Sequence, residues 1–169
     1  MTTWTLDRLN NAPDDERLRS ALRQCCSAEA WVAEVIAGRP YVNEAELSAA
    51  SDAGTSTLDE TGFAEALAGH PRIGKPATGS GGQWSRREQA GVGAADEELL
   101  TSLDRANAAY EARFGHLYLV CATGRSAADL LAICRSRLAN DPATERRVAL
   151  TELAEINRLR LGKLLRSEA

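Results

Sequence analysis

The chain has 169 residues, 44% of them hydrophobic and 26% charged, which is the composition of a globular protein long enough to bury a core. Twenty Lys and Arg stand against 24 Asp and Glu, a formal net charge of -4, and no basic block offers a footprint for a phosphate backbone, so nucleic acid is not an expected partner. Apolar runs such as Leu117–Ala122 are far too short to cross a bilayer, and Met1-Thr2-Thr3-Trp4 is not a basic leader; the expectation is a cytoplasmic protein without membrane contact.

Pro13 followed by Asp14, Asp15 and Glu16 reads as the first turn of a helix, because proline loses nothing there and carboxylates favour the positive end of the helix dipole. Leu18, Ala21, Leu22 and Cys25 then share one face. Ser27 is the expected cap of a second helix, with Trp31, Val32, Val35 and Ile36 as its stripe and Gly38 at its end. Asn43-x-x-Glu46 and Thr57-x-x-Glu60 both have the capping-box form, which predicts two short helices carrying Leu47, then Phe63 and Leu67, inward. The second runs into Gly69, so His70 stands just past a helix end.

Residues 74–83, with Gly74, Lys75, Pro76, Gly79, Gly81 and Gly82, read as a flexible loop or lid. Ser85-x-x-Glu88 is again a capping box, and it predicts a helix that starts at Ser85. From Ala94 to Arg113 apolar residues recur at steps of three and four, the clearest helix in the chain, stopped by Gly115. His116–Cys121 is an extended connector or a lone strand, whose backbone groups must find partners outside any sheet. Ser126 caps the next helix, with Leu130, Leu131, Cys134 and Leu138 facing the core, and Asn140-Asp141-Pro142 breaks it. The last helix begins near Thr144 and carries Leu150, Leu153, Asn157, Leu161 and Leu164 on one face, with Arg160 at its edge. No strand alternation, repeat or sustained heptad is present, so the fold class is all-α, a single multi-helix domain over residues 1–169.

Among chemistry-bearing residues, Cys25 and Cys26 are neighbours, and Cys121 and Cys134 sit in apolar patterns, so four reduced, packed thiols are expected. Neither C-x-x-C nor a His pair at i, i+4 occurs, which speaks against a metal site. Gly69-x-x-x-x-Gly74-Lys75 imitates a P-loop until Pro76 replaces the hydroxyl that would bind magnesium. His70 admits two readings: a donor to the carbonyls at a helix C-terminus, or a titratable imidazole close in sequence to Glu88, which could orient it. Arg72, Arg86 and Arg87 are anion binders or solvated surface; Arg125 and His116 are surface or loop residues. Arg160 borders an apolar face, where a charge requires a partner or an aqueous cavity. G-x-S-x-G is absent and the thiols lack local activating cations, so acid–base chemistry without a covalent intermediate fits best.

Three ordered stretches, His70-Pro71-Arg72-Ile73-Gly74, Ser85-Arg86-Arg87-Glu88-Gln89-Ala90-Gly91 and Asn107-x-x-Tyr110-x-x-x-Phe114-Gly115 leading into Leu119, Val120 and Gly124-Arg125-Ser126, resemble the 2-oxo-4-hydroxy-4-carboxy-5-ureidoimidazoline (OHCU) decarboxylases of purine degradation. Supporting matches run from Cys25-Cys26, Trp31 and Arg39-Pro40-Tyr41 to Arg160-Leu161. Two segments depart from the family pattern: His116-Leu117-Tyr118, where many members are more aromatic and contain proline, and the Gly79–Gly82 loop, which is longer and looser.

The resemblance implies an all-helical, cofactor-free homodimer that converts a small-molecule substrate, OHCU, to (S)-allantoin. It implies that His70 is the catalytic acid–base group and that Glu88 orients it or holds the substrate's hydroxyl and ureido donors. Pro71, Ser85, Gln89, the connector residues Leu119, Val120, Cys121, Ala122 and Thr123, and Arg160 would then contact substrate. Two other functions share these residues: a helical binding or scaffold module without activity, and a decarboxylase acting on a related ureide ring.

Overall fold

The structure is a computed structural model that describes residues 3–75, 82–93 and 95–166, with the backbone alone at 82 and 83. Among these residues every regular element is helical, and the chain divides into two compact units, Met1–Gly69 with Ala154–Ala169, and His70–Leu153.

The first unit opens with a helix that hydrophobic spacing does not announce, α1 (Leu6–Asn11), which buries Leu9 and is capped by Thr5. In α2 (Glu16–Cys25) the cap is Asp15, whose carboxylate accepts from the Leu18 amide at 3.1 Å. Pro13 and Asp14 therefore lie before the helix and not in its first turn. A side-chain acceptor at the N-cap satisfies an orphan amide, which a proline at the first position cannot do. Ser27 is not the cap of α3 (Glu29–Ala37): its hydroxyl donates to the Glu65 carbonyl at 2.6 Å, and the cap position falls to Ala28. Asn43 does cap α4 (Glu44–Ser56), as its box predicts. Thr57 instead closes α4 at its C-terminus, and Asp59 caps α5 (Glu60–Ala68). The aspartate lies nearer the helical run and is the stronger acceptor. Leu9, Leu22, Cys25, Trp31, Val32 and Val35 have no exposed surface. Each large apolar side chain so buried contributes roughly 2 kcal/mol.

The second unit contains α6 (Gly82–Glu88), a 3-10 turn (Ala90–Val92), α7 (Glu97–Phe114) and α8 (Ala127–Arg137). It also takes the first half of α9 (Pro142–Arg166), whose second half belongs to the first unit. Asp96 caps α7, Gly115 ends it in the left-handed conformation at φ 75°, and Ser126 and Asp129 form the capping box of α8. The last helix begins at Pro142 rather than near Thr144, because Asp141 accepts from the Thr144 amide and proline is tolerated at the first position. Ile73, Val92, Leu103, Tyr110, Tyr118, Val120, Leu130 and Cys134 form the core of this unit. His116, expected on the surface, is half-buried with its ring 5.5 Å from Tyr110 and 6.3 Å from Phe114. Of the expected 74–83 loop, residues 76–81 lie outside the described residues, while Gly82 and Gln83 already belong to α6.

Candidate functional site

His70 follows directly on the Gly69 cap of α5 and is half-buried, with its Nε2 atom withdrawn from solvent. The irregular backbone after it is held at several points. The Gln89 side chain accepts from the Gly74 amide at 2.9 Å and donates to the Arg72 carbonyl at 3.5 Å. Buried Asn107, on α7, donates to the Ile73 carbonyl at 3.0 Å. Arg72 reaches Glu111 at 2.7 Å and Asp104 at 3.3 Å, and Lys75 joins it on Asp104 at 3.3 Å. Arg72, a candidate anion binder by sequence, thus has two carboxylates of its own chain. The Gln89 and Asn107 bonds satisfy three backbone groups of this irregular stretch, the Arg72 and Ile73 carbonyls and the Gly74 amide.

Ser85 is not the start of a helix. α6 begins at Gly82, so Ser85 sits inside it, its carbonyl accepting from the Gln89 amide, and Glu88 is the last helical residue. The capping box predicted from Ser85-x-x-Glu88 is absent for a geometric reason: a cap residue needs non-helical backbone, and Ser85 is helical. Both side chains are nonetheless buried, at 3% and 9% exposure, while Arg86 and Arg87 between them face solvent.

Gln89, one residue after Glu88, meets the loop two and four residues after His70, at Arg72 and Gly74. Beside this junction an open hollow of about 200 Å³ is lined by Gly74, Lys75, Ser85, Arg86, Gln89, Val92 and Gly93. Ser85 and Gln89 therefore share one concavity; Pro71 lies half-buried at the loop's entrance. Gly91 carries the 3-10 turn onto the Gly124–Ser126 turn so closely that a Cβ there would lie 2.2 Å from the Arg125 carbonyl oxygen. Only glycine permits that approach.

The connector after α7 forms no strand. Leu119, Val120, Cys121 and Ala122 are buried and Thr123 is exposed. Its backbone partners are side chains and a turn. Arg137 donates to the Leu119 carbonyl at 2.7 Å, Glu152 accepts from the Cys121 amide at 2.8 Å, Arg125 donates to the Cys121 carbonyl at 3.0 Å, and the Ala122 carbonyl accepts from the Arg125 amide. Arg137 in turn lies against Glu145, with Nε 2.7 Å and Nη2 2.5 Å from Oε1; the Tyr110 hydroxyl is 2.5 Å from that oxygen, and Asn140 donates to Oε2 at 3.0 Å. Burial alone would push the Glu145 carboxyl up, but the hydrogen bonds from Arg137, Tyr110 and Asn140 hold it below the usual range. The Tyr110 hydroxyl is driven the other way by burial and by its bond to Glu145.

Arg160 belongs to the first unit, where it is 3% exposed on α9. Its charge is felt by Cys26, whose thiol burial pushes up to about 11 against the opposing effects of Asn157 and Arg160. Cys26 is therefore a protonated, packed thiol at neutral pH. Asn157, the polar residue on the apolar face of α9, is fully buried and donates to Thr55 Oγ1 at 3.1 Å.

Sequence reasoning passed over Arg137, Glu145 and Glu152. Arg137 and Glu145 are eight residues apart across a helix break, a spacing with no within-helix signature. Asn107, singled out in the sequence only as part of the Asn107-x-x-Tyr110 stretch, lies beside Leu103, Ala106 and Tyr110 on the buried face of α7.

Comparison with known proteins settles the lineage. The family model described as OHCU decarboxylase matches residues 11–162. The chain belongs to the OHCU decarboxylase family. Among relatives of that family, the 2-oxo-4-hydroxy-4-carboxy-5-ureidoimidazoline decarboxylase of Amia calva is 29% identical over 141 residues, covering 81% of this chain and 81% of that protein. The uric acid degradation bifunctional protein TTL of Arabidopsis thaliana is 26% identical over 150 residues; the match covers 86% of this chain but only 46% of the plant protein, so this chain corresponds to about half of it. The fold of this family is seen in a crystal structure of OHCU decarboxylase in the presence of (S)-allantoin, with a TM-score of 0.70 at 24% identity, covering 84% of this chain and 94% of that one.

Proposed function

We propose that this chain is a carboxy-lyase that removes carbon dioxide from OHCU to give (S)-allantoin in urate degradation, with His70 as the acid–base residue and Glu88 as the group that aims it or holds substrate. What supports the reading is membership of the OHCU decarboxylase family together with one structural observation. Gln89 locks the His70 loop to the end of α6, so the two motifs that carry the candidate acid–base pair belong to one fixed assembly.

The chemistry asks for little more. As the carboxylate leaves, the electron pair of the broken carbon–carbon bond spreads into the neighbouring carbon–nitrogen double bond of the ring, so the substrate carries its own electron sink. The 4-hydroxyl becomes a carbonyl as it loses its proton, and a proton delivered to one face of the ureido-bearing carbon sets the handedness of the product. A protein accelerates such a step with a positioned acid–base group and with hydrogen bonds that strengthen as charge moves onto the ring. His70 performs the proton transfer. Ser85 and Gln89 hold polar edges of the substrate, Pro71 forms part of the wall, and the 119–123 backbone lies along the ring. No cofactor takes part, and the working form is a cytoplasmic homodimer.

The test is a coupled assay in which urate is oxidised and hydrolysed in situ and optical rotation is followed. Added protein should give a rapid rise in (S)-allantoin. Racemic product at the spontaneous rate would favour the reading of the fold as a binding module, whereas activity confined to another carboxylated ureide ring would move the substrate and keep the chemistry.

A further inference from the structure

Tyr118, Val120 and Ala122 enter one core cluster, and the residues between them, Leu119 and Cys121, do not. That two-residue alternation is the signature of an extended chain, in which the backbone groups of alternate residues point to opposite edges. The anchors described above all fall on one edge. They are Arg137 on the Leu119 carbonyl, Glu152 on the Cys121 amide and Arg125 on the Cys121 carbonyl. The Val120 amide and carbonyl lie on the other.

We infer that Arg137, Glu152 and Arg125 are positioning residues, which fasten one edge of the 119–121 segment so that its opposite edge, the Val120 backbone, is held in register for substrate. This rests on the proposed contact between the connector and substrate, and deepens it. The anchors are themselves braced. The Glu145 carboxylate receives hydrogen bonds from Arg137, Tyr110 and Asn140, so the guanidinium that holds Leu119 is itself held on a second side. The Arg137 guanidinium also lies over the Tyr118 ring at 5.1 Å and the Tyr110 ring at 5.6 Å. A lone strand would drift without a sheet; three side chains from α8, α9 and the Gly124–Ser126 turn stand in for the missing neighbour. Such support matters because small displacements at a reacting centre carry large rate penalties.

The inference is tested in the coupled assay with Glu152→Ala, Glu152→Gln and Arg125→Ala, each checked for helicity and thermal midpoint. Glu152→Ala should lower kcat/KM by about tenfold and reduce the enantiomeric excess of allantoin, because the loosened edge no longer holds one face of the ring. Glu152→Gln should recover most of both, since its amide oxygen still accepts from the Cys121 N–H. Arg125→Ala removes an exposed side chain and should fold even where Glu152→Ala does not; a drop of about threefold is expected, in line with one lost hydrogen bond. Hydrogen exchange should be faster at the Cys121 amide in Glu152→Ala. Folded Glu152→Ala and Arg125→Ala proteins with wild-type kcat/KM and enantiomeric excess would overturn the inference, as would a loss that Glu152→Gln fails to restore. An inactive wild-type protein would instead sink the decarboxylase reading, and this inference with it.

Discussion

Two irregular segments of the second unit carry candidate site residues, and they are held by different means. The His70–Gly74 loop is tied by neutral amides, Gln89 and Asn107, and by half-exposed ion pairs from Arg72 and Lys75. The 119–123 connector is tied by buried charge, with Arg137 at 5% exposure and Glu145 at 0%. Amides hold backbone without any stake in pH or salt. A buried ion pair holds it more rigidly, but each partner depends on the other, since a charge left alone in the interior is costly. The His70–Gly74 loop is thus fastened by neutral amides and half-exposed ion pairs, and the connector by the buried Arg137–Glu145 pair.

The largest effect separates chemistry from support. His70→Ala should slow allantoin formation by roughly 10²- to 10⁴-fold, the usual worth of a general acid–base group, with circular dichroism and thermal midpoint close to wild type. A large loss of helicity would mean that His70 serves the fold instead. Glu145→Ala strikes the connector's brace and leaves Arg137 buried without its counter-charge; a loss of about 3–5 kcal/mol in urea unfolding is expected. The same carboxylate gives the connector a pH dependence. Its folded pKa is lowered, so its stabilisation is complete above the ordinary unfolded value of about 4.3 and is lost as pH falls through the lower folded value. Glu145→Gln should flatten that acid limb of the stability profile; an unchanged limb would count against the brace.

The loop's anchors should be weaker. Asn107→Ala leaves the buried Ile73 carbonyl without its donor and should cost about 1–3 kcal/mol, independent of pH between 5 and 8. The smallest change is expected for Arg72→Ala, whose pairs with Glu111 and Asp104 are about one-third to one-half exposed. About 1 kcal/mol or less should be lost at low ionic strength, and the difference should shrink in 1 M salt. An Arg72 effect as large as that of Glu145→Ala would erase the contrast between the two segments.

Helices with long apolar repeats were legible in the sequence: α7, α8 and α9 fall where Leu103, Tyr110, Leu130, Cys134 and Leu153 predict them. The capping signals were less safe. Ser126 caps as expected and Asn43 caps as its box requires, but Thr57 and Ser85 match the box pattern of Asn43 and do not cap, because a nearby aspartate or an earlier helix start takes the position. The motif is short, and the competition is decided by the backbone around it. Of the candidate site, the sequence picked out Ser85, Glu88 and Gln89, and the structure buries the first two and gives the third a clamp on the His70 loop. What it hid were pairings between distant residues, such as Tyr110 with Glu145 and Asn107 with Ile73. No local period encodes those, since they come from packing α7 against elements far along the chain.

The most direct measurement of the proposed chemistry is the optical rotation of allantoin formed from freshly generated OHCU with wild-type protein, His70→Ala and Glu88→Gln side by side. Fast, single-handed product from the wild type, with both variants reduced to the spontaneous racemic rate while their helices remain intact, is the predicted result. Rapid formation of (S)-allantoin by folded His70→Ala would contradict it, because the proton would then come from another group.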